Sequence, residues 1–592
     1  MHDEFSAIFR TWFNSVSEVI EIGVKQNDSH PAGVQLFIYF WNKLFGLSEP
    51  VLKLPFALAG IGSVFMTWLI AKRWFNSVTG LFSAAFLAVI QYTIFYSQLA
   101  RPYAPGLFFS LVTVWFWTQI IFDENPKKRE WIGFVIFMAI NSYIHAFTLF
   151  FNLLIVLTGL FFVRGNRLKS YLLSGLIILI LYLPGIPVFM AQLGRGDIGG
   201  WLSTPKPDFL FHYFYYVFHF SLWFLILTLT ILILLSARYF ARDRQADKFR
   251  VIGISWFFIT FVVAYLYSIY RSPILQYSTL LFVFPFVVMV AFSFLGKMPL
   301  PALSVSLMII VFAGITTLVG KRLHYQEMYH QGFDQIPKHI SHDLIKYKNH
   351  SVAVVLQSTD TRMFDYYFQK SGGTPNYFKL EKGRTLAEVN SYIKNISADM
   401  VLFGWDDYAS LNYLEAIKAS FPYVVKHKSW FNSEYWVMSK HKLPSRYRSE
   451  DEINIVDITA PYKVFAKNKY GRAVTINVDS LNLNKYSVLN AQVAIRRQDS
   501  IPDALLVFDW RDSEGNSLFW EGSEFKNFVG TDSTYFVSAS LRIEDLPYIP
   551  TKGEVKFYIW KRDASEIEVR QMKVYVTQWN PVEVGLFDNI AH

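Results

Sequence analysis

Eight long segments of the chain contain no Asp, Glu, Lys or Arg. A charge-free apolar segment of about 20 residues is long enough to cross a bilayer as a helix. Charged residues make up 17% of the chain, against about 25% in soluble globular proteins. These features exclude a soluble enzyme, a fibrous protein and a nucleic-acid binder, and they predict a polytopic membrane protein. The segments are residues 74–100, 102–122, 131–163, 170–194, 209–237, 251–270, 272–296 and 298–320.

The pattern changes near residue 321, where long apolar segments give way to short alternating ones with charge throughout. Such alternation is typical of a water-soluble region. We therefore predict a polytopic α-helical membrane domain over residues 1–321 and two further domains outside the membrane.

Basic residues are concentrated in five of the connectors between the apolar segments. Cytoplasmic loops are enriched in Lys and Arg, so these connectors are placed inside, and the net charge of +10 reflects this orientation signal. The result is about ten spans, with residues 1–50 and 321–592 outside. The segment 131–163 is split into two short spans, because both of its flanks are basic. The predicted spans are 54–71, 76–98, 102–122, two in 131–163, 170–190, 215–236, 251–270, 275–296 and 299–320.

Residues 5–24 have apolar side chains at the spacing of one helical face, with Arg10, Asn14 and Glu18 on the other. This pattern predicts an amphipathic helix in the outer membrane interface. An ordinary amphipathic helix of a soluble region is the alternative interpretation. Residues 34–46 are predicted to form a second interfacial helix.

The two outer regions differ in their periodicity. Residues 322–445 alternate helix and strand patterns, as in an α/β domain. Residues 446–592 contain short strands separated by turn residues, which indicates an antiparallel β-sandwich. Four tryptophans of this last domain either form a sugar-stacking face or belong to the sandwich core and edges: Trp510, Trp520, Trp560 and Trp579.

The predicted topology leaves a small set of polar side chains at the outer membrane face. Charged groups at membrane depth are costly, so they tend to face a cavity and carry function. Each also has a structural explanation: Arg101 extends to the interface, His145 is an interior histidine, and Asp3 and Glu4 belong to a frayed end. The set consists of Asp3, Glu4, Asp28, His30, Gln98, Arg101, Tyr143 and His145.

Together these residues lie in motifs that resemble a known family. The segments HDEFSA, NDSHPAGVQLFIYFWNKLFG and YSQLARPYAPGLF, followed by SYIHAFTLFFNLL and LPGIPVFMAQL, resemble the GT-C superfamily of membrane glycosyltransferases. More narrowly, they resemble the bacterial enzymes of glycosyltransferase family 39, of the protein mannosyltransferase and aminoarabinose-transferase type. It covers roughly residues 1–320.

This resemblance implies an enzyme that moves a sugar from a polyprenyl-phosphate donor to a lipid, glycan or protein acceptor. The reaction would take place on the outer side of the bacterial cytoplasmic membrane, with membrane lipid around the enzyme. Transfer needs a base for the acceptor hydroxyl and positive charge for the donor phosphate. Asp3 is the predicted base, Glu4 is its partner or a group that orients the acceptor, and Arg101 is the phosphate-binding residue, since a guanidinium binds phosphate in bidentate fashion.

The remaining residues of the site are expected to line the pocket. No cofactor is certain; a divalent metal held by Asp3 and Glu4 and metal-free base catalysis both stay open. The chain has no cysteine, so a thiolate metal site is excluded. The predicted pocket-lining residues are Asp28, His30, Gln98, Tyr103, Tyr143 and His145.

The chain departs from the family pattern at several positions. The first transmembrane helix that the family has before its Asp-Glu pair is not present in this sequence. Ala32 replaces a Pro and Leu99 a Glu. Ser278-Thr279 stand where the family has an Arg-Tyr pair, so Arg271 is considered as a substitute in donor-phosphate binding.

Two other function classes compete with the transferase. One is a catalytically degenerate relative that binds a glycan or a partner through its outer domains. The other is a transporter, which usually shows internal repeats and broken helices at the bilayer midplane. The sequence shows no convincing repeat, and its polar groups lie at the outer edge, so transport is disfavoured.

Overall fold

The computed structural model describes fourteen stretches of the chain, which form two compact units, one up to His324 and one from Tyr325. Each unit is described by itself. The described residues are 2–195, 202–240, 243–329, 332–358, 360–380, 386–406, 411–430, 433–444, 452–484, 487–496, 500–528, 534–543, 546 and 551–578.

The first unit begins with α1 (His2–Phe9), α2 (Val16–Glu18), a π-helical turn over Val19–Val24, and α3 (Gly33–Phe45). The prediction of one helix over 5–24 is therefore wrong. Ser15 ends the continuity, because its hydroxyl accepts a hydrogen bond from the Glu18 N–H and starts a new helix. Ser is a preferred N-cap, and the Glu18 carboxylate completes a capping box. The predicted helix over 34–46 is present as α3.

The rest of the first unit is helical. Helices α8 and α9 divide the segment 131–163 as predicted. The helices are α4 (Glu49–Trp74), α5 (Ser77–Val89), α6 (Gln91–Ser97), α7 (Tyr103–Phe122), α8 (Lys128–Ser142), α9 (Ala146–Phe162), α10 (Asn166–Tyr182), α11 (Ile186–Arg195), α12 (Phe209–Val217), α13 (Leu222–Tyr239), α14 (Asp247–Tyr270), α15 (Phe284–Phe292) and α16 (Leu300–Gly320).

Six helical segments among the described residues are long and apolar enough to cross a membrane, and the pair α5 and α6, bent by 65°, makes seven. The sequence predicted about ten. The difference comes from short elements such as α8, α9 and α15. Helix α15 replaces much of the predicted span 275–296, and nearly all of its side chains are buried in the unit. The three helices have 15, 17 and 9 residues, fewer than the about 20 that a helix needs to cross a bilayer.

The outside of the helical unit is apolar. Large exposed side chains follow one another along α10, α13 and α16, including Leu176, Leu179, Ile233, Met308 and Phe312. A water-soluble monomer rarely exposes contiguous apolar surface on this scale. The chain is therefore a multi-pass membrane protein, as predicted from the charge-free segments.

Helix α17 (His324–Tyr329) contains the boundary between the two units, and a mixed α/β part of the second unit follows it. Its five-stranded sheet has the order β2-β1-β3-β5-β4, in which β1 pairs in parallel with β2 and β3. Strand β3 is buried on both faces, between helices that supply the crossovers. The elements are α18 (Gly332–Lys346), β1 (Val352–Gln357), α19 (Arg362–Lys370), β2 (Phe378–Leu380), α20 (Leu386–Lys394), β3 (Met400–Trp405), α21 (Leu411–Ser420), β4 (Tyr423–Trp430) and β5 (Ser433–Ser439).

The rest of the second unit is a sandwich of two antiparallel sheets, of orders β11-β10-β13-β8 and β12-β9-β14-β6. Its core lies between them, because inward side chains of both sheets alternate with outward ones. The predicted joint at 445/446 lies outside the described residues. The strands are β6 (Glu452–Ile458), β7 (Tyr462–Val464), β8 (Val474–Asn477), β9 (Ser487–Arg496), β10 (Ala504–Arg511), β11 (Ser517–Glu524), β12 (Thr534–Arg542), β13 (Glu554–Lys561) and β14 (Ile567–Gln578).

Candidate active site

Two short connectors of the helical unit meet at the start of α3. The backbone N–H of Gly33 donates to the carbonyl oxygen of Tyr143 at 3.0 Å. A Cβ atom on Gly33 would lie 2.5 Å from that oxygen, so only glycine allows the two backbones to approach so closely. This contact joins the connector before α3 to the connector between α8 and α9. It brings Asp28 and His30 to His145.

Asp28 is the centre of a buried polar cluster. Its Oδ1 lies 2.9 Å from His30 Nδ1, its Oδ2 lies 2.9 Å from Arg10 Nη1, and Gln35 donates to Oδ2. Burial by itself would raise the pKa of Asp28. The hydrogen bond and charge of His30, with the charges of Arg10 and Arg101, outweigh burial and hold the pKa below its ordinary value. Asp28 is therefore ionised and orients His30.

His30, His145 and Tyr103 form a group of rings beside Asp28. The ring centroid of His30 lies 4.9 Å from that of His145 and 6.3 Å from that of Tyr103. His145 Nδ1 accepts the N–H of Phe147 at 3.0 Å. A nitrogen that accepts carries no proton in the neutral ring, so the proton of His145 is on Nε2.

Arg101 is buried next to this group, with 6% of its surface exposed. Its charge acts on both Asp28 and His145. The residue stands at the end of the connector between α6 and α7, just before Tyr103 begins α7. A buried guanidinium at this place is a candidate site for an anion such as phosphate.

Glu4 links α1 to the same connector. Its buried carboxylate accepts the N–H of Ala100 at 3.1 Å through Oε1, and Oε2 lies 3.3 Å from Lys53 Nζ. Ala100 precedes Arg101, so Glu4 holds the backbone that carries the guanidinium. Asp3 lies in α1, one residue before Glu4; its side chain is outside the described part of the structure.

Three other predicted residues are placed elsewhere. Gln98 Oε1 lies 3.1 Å from His324 Nε2, in a different polar group. Tyr143 contributes its backbone to the contact with Gly33, but its hydroxyl donates to the Leu181 carbonyl at 2.7 Å. Arg271 is exposed at the end of α14.

Several contacts were not predicted from the sequence. Arg10 was assigned to the polar face of an interfacial helix, and Lys53 lies one residue before the predicted span 54–71. Gln192 Nε2 donates to the carbonyl oxygen of His30 at 2.6 Å and to that of Asp28 at 3.2 Å. An Arg or Gln at the edge of an apolar segment only weakly indicates a residue of a buried site, because most such residues face solvent.

The described side chains contain no group of three or more His, Asp or Glu placed to hold a metal ion. The side chain of Asp3 is outside this set. The carboxylate of Glu4 is already engaged by Ala100 and Lys53. Through its contact with Ala100, Glu4 positions the connector that carries Arg101. Among the described side chains, no further metal ligand joins the two predicted carboxylates, Asp3 and Glu4.

The helical unit, with its apolar outside and with buried polar groups where its connectors meet, defines the class of protein as a polytopic membrane protein. Residues 29–187 match the family model described as dolichyl-phosphate-mannose-protein mannosyltransferase. The matched segment contains four residues of the buried cluster: His30, Arg101, Tyr103 and His145. The predicted resemblance to GT-C glycosyltransferases is confirmed over this segment.

Over much of its length the chain is also similar to solved structures of low sequence identity. ArnT from Cupriavidus metallidurans in the apo state is 13% identical, with 74% of this chain and 93% of that chain covered and a TM-score of 0.45. The same protein bound to undecaprenyl phosphate is 13% identical, with 69% of this chain and 88% of that chain covered and a TM-score of 0.42. The Archaeoglobus fulgidus oligosaccharyltransferase, tethered with an acceptor peptide, is 9% identical, with 94% of this chain and 90% of that chain covered and a TM-score of 0.34. No curated protein matches the chain by sequence.

Proposed function

We propose that the chain is a membrane glycosyltransferase that moves a sugar from a polyprenyl-phosphate donor to a hydroxyl acceptor. The observation that carries the proposal is the convergence of Arg101, His30, His145 and Tyr103 within the segment that matches the mannosyltransferase family. The description of that family names a lipid-phosphate sugar donor. A lipid-linked donor also suits a site at the membrane edge, where its tail remains in the bilayer.

In the proposed reaction the acceptor oxygen attacks the anomeric carbon of the sugar. The carbon–oxygen bond to the phosphate breaks, and the electron pair leaves with the phosphate, which gains negative charge. The Arg101 guanidinium binds that phosphate and stabilises the charge as it develops. Its effect is strong because the Arg101 side chain is buried, where charges are screened less than in water.

The acceptor proton needs a base, and we assign this role to Asp3. Glu4 supports the assignment, because its hydrogen bond with the Ala100 N–H keeps the first turn of α1 beside the Arg101 connector. Asp28 holds the Nδ1 side of His30 and so fixes the direction in which the ring presents Nε2. His30 and His145 then line the wall of the pocket beside the phosphate.

The test is a transfer assay on the full chain in lipid nanodiscs, with radiolabelled polyprenyl-phosphate sugars extracted from membranes. Arg101→Ala should lower both donor affinity and turnover, by roughly 10- to 100-fold, because a charge-assisted hydrogen bond contributes about 1.5–3 kcal/mol. Arg271→Ala is the matched control. Arg271 is exposed, so its loss should leave transfer close to that of the wild type.

Two outcomes would contradict the proposal. One is a wild-type chain that transfers sugar from none of the polyprenyl-phosphate donors. The other is an Arg101→Ala variant with unchanged donor affinity and turnover. If Arg271→Ala loses donor binding instead, the phosphate site lies at the end of α14, and the assignment of Arg101 is wrong.

We further propose that the reaction takes place on the outer side of the bacterial cytoplasmic membrane. The support is the concentration of Lys and Arg in the connectors opposite to those of the candidate site. Reporter fusions at Arg244 and at the carboxyl terminus should report opposite compartments. The same compartment for both would overturn the proposed orientation.

A further inference from the structure

One face of the β-sandwich carries aromatic rings on the side away from the core. In the sheet β11-β10-β13-β8, the inward residues of β10, such as Leu506 and Phe508, belong to the core. The residues between them point outward, because side chains alternate along a strand. By register, Trp520 lies opposite the outward Asp509 and Trp560 opposite the outward Leu505. Both tryptophans therefore belong to the outer face.

Four rings on this face form a partly exposed platform made of two edge-to-face pairs. The ring centroids of Trp520 and Trp560 lie 6.1 Å apart, at 71° between their planes. Tyr470 and Tyr558 form a second pair at 5.9 Å and 74°. Trp520 is 47% exposed and Tyr470 is 54% exposed, so ring surface is accessible to a ligand. Trp510, in contrast, is fully buried in the core, and Trp579 lies outside the described residues.

A polar cavity adjoins the platform at the end where β13 leaves the sheet. It has a volume of about 400 Å³, and its lining includes Asp503, Glu524, Lys526 and Arg562. Arg562 donates to Asp503 Oδ1 at 2.9 Å and to Glu524 Oε1 at 3.0 Å. Two carboxylates and two cations balance each other there. On the platform itself, Lys469 lies above the ring of Trp560, with Nζ 5.8 Å from its centroid.

The buried carboxylate of Asp509 provides a second, independent observation. Asp509 is 3% exposed and pairs with Trp520 across the strands. Its Oδ2 binds Arg511, whereas Oδ1 is buried and accepts no hydrogen bond from the described residues. A buried acceptor without a donor is unfavourable. A hydroxyl-bearing ligand beside Trp520 would supply the kind of donor that this oxygen accepts.

From these features we propose that the outer face of this sheet binds a neutral oligosaccharide. One face of a sugar ring consists of C–H groups, which pack on an aromatic ring, and its edge carries hydroxyls, which need donors and acceptors. Trp520 and Trp560 supply the rings, and Asp503, Glu524 and Arg562 supply the polar partners. The balanced charge of the cavity favours a neutral glycan over an anionic ligand. This surface does not depend on the proposed transferase site.

The test is affinity electrophoresis of the full chain in nanodiscs, through native gels that contain soluble mannan, glucan or galactan. At least one of these polysaccharides should retard the wild type. Trp520→Ala and Trp560→Ala should each weaken retardation about tenfold, and Trp520→Phe, which keeps a ring, should lose less. Tyr423→Ala is the matched control, because it removes a ring that is 43% exposed on β4 of the other domain.

Thermal unfolding of each variant separates a local loss from a misfolded domain. Retardation by none of the three polysaccharides would overturn the proposal, and so would retardation that survives the Trp520→Ala, Trp560→Ala double variant. Cosedimentation of the same nanodisc samples with vesicles of phosphatidylglycerol is measured in parallel. If the double variant loses vesicle binding and keeps polysaccharide binding, the rings contact a lipid surface and the glycan assignment is wrong.

Discussion

Glu4 offers the sharpest test of how the candidate site is built, because two substitutions separate its possible roles. Glu4→Gln keeps an oxygen that accepts the Ala100 N–H, but it removes the charge. Glu4→Ala removes both. If Glu4 positions the Arg101 connector, the two variants should differ. If Glu4 is instead the catalytic base, both should lose about 10²–10⁴-fold in rate.

The structure sets the expected magnitudes. In Glu4→Ala the buried Ala100 N–H loses its acceptor, which costs about 1–3 kcal/mol. The pair with Lys53 adds little, because the Lys53 side chain is 35% exposed and pairs of this kind contribute about 0–1 kcal/mol. We therefore expect transfer to fall roughly 10- to 100-fold in Glu4→Ala, and by less than about fivefold in Glu4→Gln.

The assay measures initial rates of sugar transfer against donor concentration for the full chain in nanodiscs. Positioning through Arg101 predicts a raised donor KM together with a lowered kcat in Glu4→Ala. Glu21→Gln removes an exposed carboxylate that pairs with Lys25 at 2.6 Å and serves as the control. Equal losses in Glu4→Gln and Glu4→Ala would refute the positioning role, as would wild-type kinetics in Glu4→Ala.

Four further outcomes are expected. Asp3→Asn should lower transfer about 10²–10⁴-fold with donor binding retained, since the amide cannot take the acceptor proton; full turnover would remove the assignment of the base. Gly33→Ala should destabilise the helical unit by about 1–3 kcal/mol and lower transfer, because the new Cβ meets the Tyr143 carbonyl oxygen. The control Gly175→Ala, with open space around the new Cβ, should have neither effect, and equal melting temperatures for these two variants would contradict the prediction. Asp28→Asn should cost about 3 kcal/mol, since it breaks a buried ion pair. The folded-state pKa of Asp28 is lowered, so this stabilisation is present above the unfolded pKa of about 4 and is lost as pH falls through the folded value. The difference in melting temperature between Asp28→Asn and the wild type should therefore shrink only in strong acid. A difference that stays constant even in strong acid would argue against the ionised pair. Deletion of residues 446–592, the proposed third domain, should leave the first unit able to insert and fold; a chain that no longer purifies in nanodiscs would show that this division is wrong.

The sequence by itself determined the elements whose signal is local. A charge-free apolar segment has to form a helix in the membrane, because no water is available there for its backbone. The basic flanks of 131–163 predicted its division into α8 and α9, and the alternation after residue 321 predicted the α/β sheet and the β-sandwich. Motif order also predicted that His30, Arg101 and His145 belong to one site. All these features are set by residues close together in the chain or by their order along it.

Only the tertiary structure decided which of those polar residues touch. Glu4 reaches Ala100, 96 residues away, and Gln192 reaches His30, 162 residues away. Arg10 was predicted to face outward on one long helix, but the Ser15 cap breaks that helix, and Arg10 pairs with Asp28 instead. Such contacts depend on the approach of distant backbones, for example Gly33 on Tyr143. Sequence periodicity reports only the direction of a side chain within its own element, so it does not specify the partner that packing brings to it.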